Sequence, residues 1–161
     1  MVLGWKRFRV EANDPKERVT VLKKITCEIR CLETETVRAA KEEMKGAPVG
    51  KVPFLCKLSG KREDILLISD DTAKRLEALI PSIGGLLAQK IAAAICGAEL
   101  CECDIATLTE RDEGQVLDEL ERLRANKVVQ FREIAGMKYY SLVDTKAREL
   151  LNKYISDLET T

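Results

Sequence analysis

The chain has 161 residues with 27 basic and 27 acidic side chains, a length that fits one domain or one small domain with an extension. It contains six cysteines and no histidine, which excludes every histidine-based triad or dyad and removes the commonest imidazole ligand for zinc. Charge is unevenly spread: residues 1–80 carry 17 basic against 13 acidic side chains and residues 81–161 carry 10 against 14, a mild polarisation of the surface.

The opening stretch around Trp5, Phe8 and Val10 has no apolar run of signal-peptide length and ends at the turn signal Asn13-Asp14-Pro15. No segment approaches the roughly 18 apolar residues that a membrane-spanning helix needs. The chain is therefore expected to be soluble and cytoplasmic, with no membrane partner. Arg18 to Leu32 is β-branched and apolar, tenable as helix or strand, and contains Cys27 and Cys31. Glu33 to Lys45 is rich in helix formers and stops at Gly46. Val52 to Leu58 and Asp64 to Ser69 flank Ser59-Gly60-Lys61-Arg62, the pattern of a β-hairpin. Asp70-Asp71-Thr72 is expected to cap a helix from Ala73 to Ile80, with Pro81 suited to opening the next one.

Ile83 to Cys96 predicts a buried helix with little polar face. Glu99 to Leu108 predicts a short helix, Arg111-Asp112 a turn, and Glu113 to Ala125 a second helix with Val116, Leu117, Leu120 and Leu123 inward. Val128 to Glu133 and Met137 to Leu142 form a second hairpin. A terminal helix follows, with Ala147, Leu150, Leu151, Tyr154, Ile155 and Leu158 in one stripe, which suits a partner subunit or the helix's own domain. The expected fold class is mostly α (α+β): a small mixed N-terminal region with a β-hairpin over residues 1–80, and a winged helix-turn-helix over residues 81–161.

In a reducing compartment, clustered thiols point to metal or redox chemistry rather than to structural disulfides. Cys27 and Cys31, at i and i+4, fall on one side of their segment. Cys101 and Cys103, at i and i+2, would diverge in a regular helix. Shared chelation there needs an extended or distorted helix start, where the dipole also favours thiolates. Four thiolates make a soft site suited to Cd(II), Pb(II) or Zn(II) rather than Mg or Ca. Cys96 and Cys56 fit the simpler role of small buried hydrophobes.

The segments Thr26-Cys27-Glu28-Ile29-Arg30-Cys31 and Glu99-Leu100-Cys101-Glu102-Cys103-Asp104-Ile105-Ala106, followed by Val128-Val129-Gln130-Phe131-Arg132 and Tyr140-Ser141-Leu142, resemble the ArsR–SmtB family of metal-responsive repressors, and its cadmium/lead-sensing branch in particular. The resemblance covers the chain well from about Ile83 to its end, thinly upstream of it, and not before Lys24. It implies a homodimer that binds operator DNA when metal-free and is released when metal binds. It also implies a site in which Cys27 and Cys31 of one subunit join Cys101 and Cys103 of the other. DNA contacts are expected from Arg111, Gln115, Arg122 and Lys127, with Arg132 and Lys138 serving the wing.

The sequence departs from that pattern in three places. Gly46 to Asp71 looks inserted, the terminal helix lacks histidine for a second zinc site, and the recognition helix carries Asp112, Glu113, Asp118, Glu119 and Glu121. Carboxylates facing phosphate oppose the counterion release that dominates DNA affinity. An alternative reading is therefore a winged-helix module that binds a protein or ligand and does not read DNA. A thiol redox sensor is a third reading, although the chain has no Cys-x-x-Cys and no evident general base. Neither a phosphate-binding glycine motif nor a pair of catalytic carboxylates is recognisable, and no enzyme activity is expected.

Overall fold

The computed structural model describes residues 32–55 and 60–159. Cys27, Cys31 and Cys56 lie outside the described residues. Among those described, six helices and two small antiparallel sheets make a mostly helical α+β structure.

Helix α1 (Thr34–Glu43) buries Val37 and Ala40 and ends before Gly46. Strands β1 (Val49–Leu55) and β2 (Arg62–Ile68) form the expected hairpin, in register from Val49 opposite Ile68 to Leu55 opposite Arg62. The cap of α2 (Asp70–Leu79) is Ser69 rather than the aspartates after it: Ser69 Oγ accepts the N–H of Thr72 at 3.1 Å. Both aspartates instead sit in the first turn, where their charge meets the positive end of the helix dipole. Pro81 lies in a turn, and α3 (Leu86–Gly97) starts only after Gly85. That helix is buried almost all round, as its low polarity predicts.

The expected helix from Glu99 to Leu108 divides into a two-residue strand, β3 (Leu100–Cys101), and α4 (Glu102–Thr109). Pairing decides the division. Leu100 faces Tyr140 and Cys101 faces Tyr139 on the strand Met137–Leu142, and no local propensity of Glu99-Leu100-Cys101 announces that distant partner. After α4, Glu110 turns the chain in a left-handed conformation at φ 56, and Asp112 caps α5 (Glu113–Ala125) by accepting the N–H of Gln115 at 2.9 Å. Strands β4 (Val129–Ile134) and β5 (Met137–Leu142) are joined by Ala135-Gly136, both at positive φ, a two-residue turn that matches strand twist. The second sheet has the order β3-β5-β4.

Helix α6 (Thr145–Glu159) closes the described chain. Its Ala147, Leu151 and Ile155 are buried on the chain itself, whereas Leu150 is exposed. One continuous buried cluster runs from Leu32, Val37, Val52 and Ile65 through Ile91 and Ile95 to Leu120, Leu142 and Leu151. The β1-β2 hairpin is part of that core: Val52 and Ile65 are fully buried, and Lys51 reaches Glu159 of α6 at 3.6 Å. The helix order α3-α4-α5 followed by the β4-β5 hairpin is the order expected of a winged helix-turn-helix.

Candidate metal centre

The strand-to-helix break between β3 and α4 resolves the spacing problem of a Cys-x-Cys pair. Cys101 is extended (φ −82, ψ 166) at the N-cap of α4, and Cys103 is in the first turn. Their sulfurs approach to 3.1 Å, too far for a disulfide bond. Asp104 is three residues after Cys101, and its carboxylate joins the two sulfurs in a group whose ligand atoms all lie within 4.8 Å of one another. A tetrahedral zinc with bonds of about 2.3 Å separates its sulfurs by roughly 3.7 Å, so this pair would need to open by about 0.6 Å. Two sulfurs and one carboxylate form a fitting part-set for a thiophilic divalent ion.

Burial sharpens the chemistry. Cys101 and Asp104 are each 1 % exposed, and Cys103 is half-buried. Cys101 packs in a small cluster with Met137 and Tyr139, against which Cys103 and Ile134 also rest. The sulfurs therefore pack against the β4-β5 hairpin. Asp104 Oδ1 accepts the backbone N–H of Leu32 at 2.6 Å, which pins the residue following Cys31 to the candidate centre. Glu102 is also buried, at 3 % exposure. Neither Asp104 nor the Leu32 contact was expected to contribute. The available signal was Asp104 itself, one helical turn beyond Cys101 in the Cys-x-Cys-Asp box.

Cys96 stands apart. Its Sγ donates to Asn152 Oδ1 at 3.3 Å, and burial pushes the thiol above its usual range, with Arg148 pulling modestly the other way. Such a thiol keeps its proton and acts as a small core group.

The expected DNA-contacting side chains fall into two sets. Arg111, Gln115 and Lys127 are exposed around α5. The other three have partners within the chain. Arg122 donates to the Ile83 carbonyl at 2.6 Å and pairs with Glu119. Arg132 pairs with both carboxylate oxygens of Glu99, at 2.7 and 2.9 Å. Lys138 lies 4.7 Å from the centre of the Phe131 ring, with Arg124 at 5.5 Å from the same centre. Gly84 lies against the Arg122 guanidinium: its φ of 121 suits glycine, and a Cβ there would collide with Nη2. Tyr140, paired with Leu100 across the sheet, has its phenol pushed up to about 12, first by burial and then by Glu102 and Glu121.

No protein-family model matches the chain. Over 93 residues it is 26% identical to a transcriptional repressor SmtB homolog from Synechocystis sp., an alignment covering 58% of this chain and 70% of that protein. The chain is a distant homologue of that repressor. The relative is a transcriptional regulator by name, and among the described residues no helix of this chain is long and apolar enough to cross a membrane.

Proposed function

We propose that the chain is a cytoplasmic, metal-responsive transcriptional repressor of the ArsR–SmtB type, built on a winged helix-turn-helix. It binds operator DNA as a homodimer and is released when a soft divalent ion, Cd(II), Pb(II) or Zn(II), is bound by cysteine thiolates. The observation that carries this reading is the convergence of the Cys101 and Cys103 sulfurs and the Asp104 carboxylate at the start of α4. The distant homology to a named repressor supports it independently. Cys27 and Cys31 complete the ligand set. The Leu32–Asp104 bond supports this reading by holding the residue that follows Cys31 against the candidate centre.

Coupling follows from the sheet. Cys101 pairs with Tyr139, and Tyr139 pairs with Arg132, so an ion that spreads the two sulfurs pulls on both the wing and the first helix of the helix-turn-helix. Arg132 is tied in addition to Glu99, just before β3. Coupling free energies of about 1–3 kcal/mol, or about 5–150-fold in DNA affinity, are usual for such linkage.

A second reading, a winged helix that docks protein instead of DNA, is favoured by the partners already held by Arg122, Arg132 and Lys138. A gel-shift assay on duplexes from the gene's own upstream region separates the two. The repressor reading expects a shift that Cd(II) abolishes in wild type and leaves intact in Cys101→Ser/Cys103→Ser. Failure to shift any duplex at low salt supports the protein-docking reading instead.

A further inference from the structure

A cavity of about 300 Å³ lies away from the cysteines, where α1, the β1-β2 hairpin, α3 and the end of α4 meet. Its floor is apolar, from Met44, Leu66, Ile68 and Leu108. Three lysines, Lys41, Lys45 and Lys90, line it as well. Natural ligand sites run from about 300 Å³ upward, so the space suits a small ligand of about ten non-hydrogen atoms. This volume lies at the small end of natural ligand sites, and the lining has their usual character, mostly apolar with a few convergent polar groups.

The lysines differ in how they are engaged. Lys90 pairs with Asp70, whose carboxyl is held below its usual range by that hydrogen bond and charge. Lys41 pairs with Glu110 at 3.0 Å. Lys45 is exposed and has no ion pair among the described residues. Within the cavity lining Asp70 is the single carboxylate, so the lysines leave an excess of positive charge over an apolar floor. A neutral alkane leaves that charge unused, and an amine is repelled by it.

We propose that this cavity binds a small apolar carboxylate of about ten non-hydrogen atoms, with the tail on Leu66, Ile68 and Leu108 and the carboxylate toward Lys45 and Lys41. This is a second effector site, independent of the cysteine centre. It also has a route to the DNA-facing helix. Thr109 lines the cavity, and Glu110, which follows it, holds the left-handed turn into α5 while paired with Lys41. A carboxylate that takes Lys41 competes with Glu110 and loosens that turn.

The test uses the full chain, reduced and metal-free, titrated with octanoate by calorimetry, with octanol and octylamine as controls. Octanoate should bind at one per chain, at least about tenfold tighter than octanol, and octylamine should not bind. Ala47→Trp, which fills the cavity from a loop position, should abolish binding while circular dichroism stays native. Lys45→Glu, at an exposed position, should weaken it about tenfold and serves if the tryptophan variant does not fold. Hydrogen exchange should quicken at residues 109–112 on octanoate binding.

The Cys101→Ser/Cys103→Ser protein should bind octanoate as wild type does, so failure of the metal reading and failure of this one are distinguishable. Absence of octanoate binding, equal binding of octanol, or binding untouched by both cavity variants overturns the site. Unchanged exchange at residues 109–112 overturns its link to the turn.

Discussion

The first turns of α4 and α5 follow one another in the chain and are used in opposite ways. At the start of α4, Cys101, Cys103 and Asp104 point at one another, two of them almost wholly buried. At the start of α5, Asp112 is spent on capping, Glu113 and Gln115 face outward, and the helix's Arg122 is turned back onto the Ile83 carbonyl. One helix start gathers ligands, and the other is anchored by its inner face and presents a mixed-charge outer one. A converging site can be read from distances. A nucleic-acid surface has to be read from which cations are left over, and of the expected ones Arg111 and Lys127 are exposed with no ion pair among the described residues.

That contrast can be broken or sharpened by substitution. The largest expected effect on stability is Leu120→Ala, fully buried on the inner face of α5, which should cost about 2–5 kcal/mol in denaturant unfolding. A cost under about 1 kcal/mol would mean that α5 is not anchored as described. Asp104→Asn keeps an oxygen for the Leu32 N–H but removes the charge. It should lower Cd(II) affinity about 10–100-fold in a competition titration, with unfolding little changed. Equal affinity would remove Asp104 from the centre.

Arg122→Ala should cost about 1–2 kcal/mol of stability, since it leaves the Ile83 carbonyl without that donor, and should barely change the salt dependence of any DNA binding. Arg111→Ala should do the reverse, reducing the salt slope by about one and leaving stability alone. Interchanged results would reverse the assignment of the two arginines.

The smallest effect at neutral pH belongs to Tyr140→Phe, because the buried hydroxyl has no hydrogen-bond partner among the described residues. Tyr140 has a raised folded value, about 12 against 10.0 unfolded, so the stability it contributes is intact below pH 10 and is lost as pH rises toward about 12. Wild type should therefore lose stability over that window, on the order of 2 kcal/mol, and Tyr140→Phe should flatten the loss. Identical alkaline profiles for the two proteins would contradict the burial assigned to the phenol.

Much of the fold was legible because local chemistry and tertiary packing agreed. The α5 pattern of Val116, Leu120 and Leu123, the Ala135-Gly136 turn and the apolar α3 carry their structure in their spacing. Strand β3 was not legible, because its two residues are extended only through pairing with Tyr139 and Tyr140. The same strand extends Cys101, so the geometry of the candidate centre depended on a contact that spacing does not encode. The cysteine pair was visible and its third member was missed, because an aspartate at a helix start also serves the dipole. The commitments of Arg122 and Arg132 were hidden for a similar reason: a surface arginine's partner, here a carbonyl near Gly84 or a carboxylate across the sheet, lies far off in sequence.

The central claim is that Cys101 and Cys103 hold a soft metal ion. Cd(II) titration of the reduced protein, followed by thiolate-to-metal charge-transfer absorption, tests it most directly in wild type beside Cys101→Ser/Cys103→Ser. The account predicts a saturable band in wild type and an affinity at least about 100-fold lower in the double variant, with the native fold retained. The same band, stoichiometry and affinity in both proteins would contradict it.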